Sequence, residues 1–394
     1  MRTGCNCRER ASSLALVALA MLAASCSSSR LVPIRAYDAS VSAVPDGARL
    51  DGANDLVQDT AGESDAGVDR ADAPADPGPD APVVESCPPL ALVGFAAKSP
   101  GTSGGAGGRT VTVRTYDELS AAASSTERLI IELPVFIQAP ADASQVRVQS
   151  NKTIRGVAAG AGMTGSGFLL SSVSNVIIQN LVLSKSLPED AVTINKSTYV
   201  WVDHCDLSSD GTAAYDGLVD IAHGTDWVTV SWTVFHDHRL ASLVGHSANP
   251  SDPTEDPGHL TVTYHHNWFR NTQSFNPKVR FGTAHVFNNF YDYPEGNSLT
   301  GVVSQLGAQV LVERNWFEKL KIPASTRDNE SLNDPSKEGS ILMQENRLSG
   351  TADPVVTKLG TWTPSASDYS YTQALDEVAI VPALVAKCAG PVLR

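Results

Sequence analysis

Three aspartates are the residues whose type and spacing in this chain best suit chemistry. Asp190 lies in PEDAVTI, and Asp216 and Asp220 lie four residues apart in YDGLVDI. Side chains at even spacing on an extended segment point to the same face. If Asp190 lies one structural repeat away, the three carboxylates can converge on a hard cation, and oxygen-rich sites of this kind select Ca²⁺. Because aspartates in loops are more often turn formers, the spacing alone leaves both interpretations open.

A short cationic segment is the second feature that could do chemistry. SFNPKVR, residues 274–280, contains Lys278 and Arg280 on either side of a valine, and Phe275 stands near its start. Two cations and a proline within seven residues raise the question whether this is an active-site segment. The segment is therefore a candidate for part of an active site, although the sequence gives no local reason for the aromatic residue.

The histidines could in principle form a zinc site. All nine fall between His204 and His285. The chain contains neither a His-Glu-x-x-His helix nor a Cys-x-x-Cys pair that would complete a tetrahedral site. The favoured interpretation is that the histidines are buried and hydrogen-bonded within the fold.

A repeated pattern of short apolar runs indicates the elements that must position these residues. The ends of seven such runs lie 22 to 34 positions apart. A strand of alternating apolar residues, a turn and a second short strand in each repeat are typical of a solenoid. The main alternative, a β-sandwich, would need even strands joined by hairpin turns at short intervals. The runs end at Leu183, Leu207, Phe235, Phe269, Tyr291, Phe317 and Leu348.

Two further features fit the solenoid better than the sandwich. Asn267, Asn289, Asn315 and Asn346 occupy the same position in four successive runs, which predicts an internal ladder of hydrogen-bonded amides. The one good helical stretch, residues 115–125, would cover the apolar end of the first coil.

The first 86 residues have the composition of an export signal and a spacer. Residues 1–25 combine early arginines with an apolar run that is too short for a membrane span, which predicts an export signal. The small residues before Cys26 resemble a site of lipid attachment, with ordinary cleavage and free secretion as the alternative. Residues 26–86 are rich in Ala, Asp, Gly, Pro and Ser, which predicts a disordered acidic linker. Residues 87–394 would then form the folded domain.

The charge of the chain argues against nucleic acid as a partner. The formal net charge is −14, and residues 38–85 hold twelve acidic residues against two arginines. The rest of the chain is therefore only mildly acidic and offers no basic surface for phosphates. We expect a monomer that contacts a membrane only through a lipid on Cys26.

Three cysteines remain in the expected folded domain. Cys87 opens this domain and Cys388 nearly closes it, and export to an oxidising compartment would allow a disulfide between them. Cys205 lies within a strand-like run, which predicts a buried apolar thiol.

A series of motifs resembles the polysaccharide lyase family that contains the pectate lyases, polysaccharide lyase family 1. The motifs follow the family's order from Gly94 to Tyr291. The resemblance implies an all-β, single-stranded right-handed parallel β-helix that acts on polygalacturonate or pectin by β-elimination, with Ca²⁺ as cofactor. The motifs are GFAAKSPGTSGGAGGRTVTVRT, SNKTIRGV, VWVDHCDLS, YDGLVDI, VTVSWTVFHDH, SLVGHS, TYHHNWFRNTQ, NPKVRFG and AHVFNNFY.

The resemblance also assigns roles to single residues. Three of the family's calcium carboxylates fall on Asp190, Asp216 and Asp220. Pairing the substrate carboxylate with Ca²⁺ and with cations stabilises the negative charge that develops when the proton at C5 leaves. A base must lie within hydrogen-bond reach of that proton.

The cationic positions of the family are only partly kept. Its second arginine falls on Arg280, whereas the base arginine falls on Phe275 and the lysine falls on Leu240. Lys278 and Arg239 are the nearest cations that could substitute, because the pKa of a lysine falls when it is crowded by other cations and buried. We therefore expect Arg280 and Lys278 to act in catalysis, and Arg280, Arg239 and Phe275 to contact the polysaccharide.

Three functions are compatible with these residues. The first is an exported pectate-lyase-like enzyme that uses Ca²⁺. The second is a catalytically impaired relative that binds an acidic glycan through Ca²⁺ and Arg280, with Phe275 as an apolar platform for a sugar ring. The third, a structural β-helix without a ligand, has no need of three converging aspartates.

Overall fold

The protein is described by a computed structural model that covers residues 84–247, 255–293, 299–327 and 335–392. The predicted export signal at residues 1–25, the predicted lipid on Cys26 and nearly all of the predicted linker at residues 26–86 lie outside the described residues. No helix of the described part of the chain is long and apolar enough to cross a membrane.

Short strands account for most of the regular structure. Two α-helices, α1 (Tyr116–Ser124) and α2 (Val381–Cys388), accompany them, with 3-10 turns at Phe95–Ala97, Pro335–Lys337, Thr372–Ala374 and Val378–Ile380. In chain order the strands are β1 (Arg109–Thr112), β2 (Leu129–Leu133), β3 (Phe136–Gln138), β4 (Val146–Val148), β5 (Lys152–Gly156), β6 (Gly162–Thr164), β7 (Phe168–Ser171), β8 (Ser174–Gln179), β9 (Val182–Ser184), β10 (Val192–Asn195), β11 (Thr198–Asp203), β12 (Asp206–Ser208), β13 (Val219–Ala222), β14 (Asp226–Ser231), β15 (Val234–Leu240), β16 (Leu243–Val244), β17 (Thr261–His265), β18 (Trp268–Ser274), β19 (Lys278–Arg280), β20 (Thr283–Phe287), β21 (Phe290–Asp292), β22 (Thr300–Gln305), β23 (Gln309–Glu313), β24 (Trp316–Glu318), β25 (Ile322–Ser325), β26 (Ser340–Gln344) and β27 (Arg347–Ser349).

These strands form a parallel β-helix, as predicted. Sheet 1 has ten strands in the order β1-β2-β5-β8-β11-β14-β17-β20-β23-β26, sheet 2 has nine from β3 to β27, and sheet 3 has eight from β4 to β25. A complete coil contributes one strand to each sheet, for example β14, β15 and β16. The prediction of two strands per repeat was wrong, because the third strand follows a segment of variable length and in the sequence looks like part of an irregular loop.

The interior of the coils is filled by side chains at equivalent positions. Phe235, Phe269, Tyr291 and Phe317 occupy paired positions on successive strands of sheet 2. Their rings stack with centroids 4.7, 4.9 and 4.5 Å apart. Because parallel strands lie at nearly the same spacing, like side chains on adjacent coils meet in ring-on-ring contact.

The predicted asparagine ladder is confirmed. The side-chain Nδ2 of Asn267 donates to Oδ1 of Asn289 over 2.9 Å, and Asn289 donates in the same way to Asn315 over 2.9 Å. Asn315 continues the ladder to Asn346 over 3.1 Å. Each Oδ1 also accepts the backbone N–H of the preceding asparagine, so the turns between sheets 1 and 2 are held in register.

The ends of the folded chain are closed as predicted. The side chain of Thr115 accepts from the backbone N–H of Glu118 over 3.2 Å and caps α1, whose buried face covers the first coil. Cys87 and Cys388 form a disulfide with a Cα–Cα distance of 5.5 Å, which joins residues 301 positions apart. Cys205 is a free and buried thiol, also as predicted.

Candidate functional site

The outer face of sheet 3 carries most of the predicted site residues. Asp220 lies between Val219 and Ile221, both of which point into the core. Because side chains alternate along a strand, the Asp220 carboxylate points away from the core. The same alternation around the buried Val279 places Lys278 and Arg280 on this outer face, two strands away from Asp220.

Two of the three predicted calcium ligands come together around Gly217. A Cβ atom at this glycine would lie 2.6 Å from Oδ1 of Asp220 and 2.8 Å from Oδ1 of Asp190. The Gly217 backbone N–H also donates to Oδ1 of Asp190 over 2.9 Å. Any larger residue here would push the carboxylates apart, which explains the glycine that follows Asp216 in YDGLVDI.

Each carboxylate is fixed by neighbouring donors. The hydroxyl of Thr193 donates to Oδ2 of Asp190 over 2.7 Å, and the backbone N–H of Leu243 donates to Oδ1 of Asp220 over 3.0 Å. Thr193 and Asp220 are paired across adjacent strands of sheet 3. The set of Asp190, Asp216 and Asp220 is called the carboxylate site below.

The pKa values of all three acids in the carboxylate site are raised, first by burial and then, for Asp190 and Asp220, by repulsion from neighbouring acids. Burial, together with the charge of Asp216, raises the pKa of Asp190 to about 7. Burial and the charge of Asp190 raise the pKa of Asp220 well above its ordinary value, and burial raises the pKa of Asp216. Buried carboxylate oxygens that repel one another are suitable ligands for a hard divalent cation, because the positive charge of the ion would relieve the repulsion.

The carboxylate site does not hold a metal ion by its own side chains as placed. Among the described residues, no group of three or more His, Cys, Asp or Glu side chains could hold a metal ion. The charge of Asp216 raises the pKa values of both other aspartates. A cation would therefore need further oxygen ligands from outside the protein, such as water molecules or a sugar carboxylate. That the three aspartates bind calcium stays a prediction.

Glu189 is an acidic neighbour that the spacing of the aspartates did not reveal. Its pKa is raised by burial and by the charge of Asp216, so it shares the field of the carboxylate site. The signal in the sequence was its position directly before Asp190 in PEDAVTI. It adds a fourth negative charge close to the site.

Arg280 places a positive charge on the same outer face of sheet 3 as Asp220. Its side chain is fully buried, and Nη1 donates to the carbonyl oxygen of His246 over 2.8 Å. The charge of Arg280 favours the ionised form of Asp220. Gly245 lies directly against it, since a Cβ there would come within 2.7 Å of the Cβ of Arg280. The guanidinium is thus held rigidly beside the carboxylate site.

Phe275, which the motif resemblance aligns with the family's base arginine, lies in the turn between β18 and β19. It has a φ of +62°. Its carbonyl oxygen accepts from the backbone N–H of Ser242 over 2.8 Å. The Nζ of the buried Lys278 lies 4.6 Å from the centroid of the Phe275 ring, a cation–π contact. Lys278, the candidate to replace the base, is therefore in contact with the side chain of Phe275.

Leu240, which the motif resemblance aligns with the family's lysine, lies at the end of β15. Leu240 pairs with Ser274, the residue before Phe275. Arg239 lies one position earlier on β15, where side chains point to the opposite side, and its charge helps to lower the pKa of the neighbouring His238. The predicted contact of Arg239 with the polysaccharide remains a prediction.

Comparison with known proteins identifies the family. The pectate lyase family model matches residues 83–391. The chain belongs to the pectate lyase family. As a member of this family it is a polysaccharide lyase, which confirms the resemblance seen in its motifs.

Individual pectate lyases match over most of their lengths. Pectate lyase plyB of Emericella nidulans is 42% identical over 298 residues, which cover 74% of this chain and 85% of the relative. Pectate lyase B of Colletotrichum gloeosporioides is 41% identical over 286 residues, covering 71% of this chain and 80% of the relative. The crystal structure of a pectate lyase from Bacillus sp. N165, in complex with trigalacturonate, is 27% identical, with a TM-score of 0.65 and coverage of 76% of this chain and 98% of that chain. The parallel β-helix described above is thus the fold of this pectate lyase family.

Proposed function

We propose that this family member binds polygalacturonate or pectin with Ca²⁺ and cleaves it by β-elimination. The observation that carries the proposal is the carboxylate site, whose buried acids have raised pKa values and lie beside the buried Arg280. The similar lyase solved in complex with trigalacturonate supports an acidic galacturonan as the substrate.

The residues of the site have distinct parts in this chemistry. Bound Ca²⁺ would supply positive charge that pairs with the sugar carboxylate and makes the proton at C5 more acidic. Asp190, Asp216 and Asp220 would hold the ion, and Arg280 would hold a carboxylate of the substrate. A base removes the C5 proton, a double bond forms between C4 and C5, and the bond from C4 to the glycosidic oxygen breaks. That oxygen then gains a proton as the new chain end leaves.

Lys278 is the candidate base in this chain. Its Nζ lies over the ring of Phe275, which occupies the position that corresponds to the family's base arginine. The loss of a general base ordinarily lowers the rate by a factor of about 10²–10⁴. We therefore expect slow elimination.

A second candidate function follows from the same two positions. Neither Phe275 nor Leu240 can accept a proton or hold a carboxylate, so the chain would bind an acidic glycan without cleaving it. In that case the half-buried ring of Phe275 would serve as an apolar surface for a sugar ring.

Export is part of the proposal. The Cys87–Cys388 disulfide fits an oxidising compartment outside the cytoplasm. Together with the signal-like residues 1–25, it supports an exported protein, either held at a membrane by a lipid on Cys26 or released.

An elimination assay separates the two candidates. The protein is incubated with polygalacturonate with and without Ca²⁺, and the unsaturated product is followed by its ultraviolet absorbance. We expect slow product formation that requires Ca²⁺ and that is lost in Lys278→Ala and in Arg280→Ala, but not in the control Lys358→Ala at an exposed position. Calcium-dependent binding of the glycan without product would instead support the binding protein. Absence of calcium-dependent binding would contradict both functions.

Calcium should also stabilise the protein in the absence of any glycan. A ligand that binds only the folded state at 100 times its Kd adds about 2.7 kcal/mol to the free energy of unfolding. We expect Tm to rise on addition of Ca²⁺ to the wild type and to Asp353→Asn, an exposed control. The rise should be absent in Asp220→Asn, which differential scanning calorimetry would show. An equal rise in Asp220→Asn and in the wild type would place the calcium elsewhere.

A further inference from the structure

Two strands of sheet 2 extend further along the chain than their neighbours. In the described part of the chain β15 and β18 have seven residues each, whereas every other strand of sheet 2 has three. They end at Leu240 and Ser274, and Phe275 follows. The backbone N–H of Ala241 donates to the carbonyl oxygen of Ser274 over 3.1 Å, and that of Ser242 donates to Phe275 over 2.8 Å. The two long strands therefore carry the positions that the motif resemblance aligns with the family's lysine and base arginine.

Both long strands bend at the same point. Asp237 and Asn271 lie opposite each other in the register, and their φ angles are +50° and +52°. This left-handed conformation is costly for residues other than glycine and persists only where the surroundings enforce it. Nδ2 of Asn271 donates to Oδ1 of Asp237 over 2.7 Å. This paired bend lies three positions before Leu240 and four before Phe275, so it sets the direction in which the strand ends run.

His236 joins the paired bend to the preceding coil. Its Nδ1 lies 2.7 Å from Oδ2 of Asp237, and its Nε2 lies 3.0 Å from Oδ1 of Asp206 on β12. An ionised carboxylate only accepts hydrogen bonds, so both ring nitrogens must donate and the ring must carry a positive charge. A neutral ring would point a lone pair at one of the two carboxylates. The bridge between the two coils is therefore complete only while His236 is protonated.

Charged groups from three strands face His236. Asp206 lies on β12, Asp237 on β15, and Arg270 lies opposite His236 in the register of β18. Burial would lower the pKa of His236, but the hydrogen bonds and charges of the two carboxylates outweigh burial and raise it. Bonds from His236 and Asn271 lower the pKa of Asp237 despite its burial. The ring therefore keeps its proton to a higher pH than an ordinary histidine does.

We propose that protonated His236 is a positioning residue, which holds the paired bend by bridging Asp206 and Asp237 and thereby fixes the strand ends that carry Leu240 and Phe275. Its effect on rate rests on the proposed elimination. The bridge is complete below the ordinary histidine pKa of about 6.5 and is lost as the pH rises through the raised pKa of the folded protein. The rate should therefore decline at alkaline pH. A base would give the opposite trend, because it gains activity as it loses its proton.

The pH dependence of elimination tests the bridge. The wild type should show the alkaline decline, and so should His259→Gln, a control at a half-exposed histidine that pairs with Asp226. His236→Gln should lower kcat by about 10–100-fold with little change in KM, because a small misplacement of reacting groups has effects of this size, and should show no decline. His236→Arg should keep the rate without the decline, since arginine stays charged and can donate to both carboxylates.

Two further measurements do not depend on activity. Nuclear magnetic resonance titration of the ring nitrogens should give His236 a pKa above its ordinary value. Hydrogen exchange compares the variants at one pH. The backbone amides of Ala241 and Ser242 should exchange about tenfold faster in His236→Gln than in the wild type, because the strand ends open more often. Exchange should be unchanged in His236→Arg and in His259→Gln.

The outcomes separate this inference from the proposed function. An alkaline decline that persists in His236→Arg, a pKa of His236 at or below its ordinary value, or equal exchange in His236→Gln and the wild type would each overturn the positioning role. If His236→Gln does not fold, the titration of the wild type and the pH profile of His236→Arg decide. Absence of elimination in every variant would overturn the proposed function alone, and the titration and exchange measurements would still decide the role of His236.

Discussion

The double variant Phe275→Arg with Leu240→Lys should cleave polygalacturonate at least about 10³-fold faster than the wild type, because a positioned base contributes about 10²–10⁴ to a rate and a charge clamp adds to it. The backbone needs no new strain, since Phe275 already has a φ of +62° as a non-glycine residue. The arginine would replace the aromatic ring that contacts Lys278, and the lysine would enter beside Ser274. Initial rates of absorbance increase at saturating Ca²⁺ measure the gain.

Three comparisons show whether the gain comes from the restored site. Each single variant should recover less than the pair, since residues that act as a unit are not additive. A matched control, Phe136→Arg with Leu359→Lys, adds the same charge at positions that are 48% and 80% exposed and should leave the rate unchanged. Arg280→Ala in the double variant should remove the gain. If the double variant is no faster than this control, the turn at Phe275 is not where the base acts.

Asn289→Ala should lower the free energy of unfolding by about 3–5 kcal/mol, because several buried polar groups lose their partners and each costs about 1–3 kcal/mol. The side chain of Asn289 is fully buried. Its Nδ2 donates to the carbonyl oxygens of Tyr264 and Phe287 and to Asn315, and its Oδ1 accepts twice from Asn267. The two neighbouring coils would be affected together. Denaturant unfolding followed by circular dichroism measures the loss.

The end of the ladder supplies the matched control. Asn346 is only partly buried and is the last asparagine of the set, so Asn346→Ala should cost clearly less than Asn289→Ala. Both variants remove the same side chain from the same kind of turn. Equal losses in the two variants would mean that the ladder does not stabilise the coils through its buried interior.

Much of the fold could be predicted because its signals are local or repeat at a steady interval. The asparagines recur at one position in each run, and a parallel coil brings equal positions together, so their spacing alone predicted the ladder. The cap of α1 depends on Thr115 and on residues directly after it. The third strand of each coil was missed because the segment that precedes it varies in length, from residues 241–242 before β16 to residues 209–218 before β13, so the strand does not follow at a steady interval.

The sequence by itself determined the family, the repeated coil and the candidate acids and cations, since these depend on residue type and order along the chain. Only the tertiary structure decided how the charges meet. It brought Asp190 and Asp220 together around Gly217 and placed Lys278 over Phe275. It also placed His236 between two carboxylates. Such contacts join different coils, which the order of residues along the chain does not reveal. The pKa values of these groups depend on burial, and burial is a property of the packed solenoid and not of any single run.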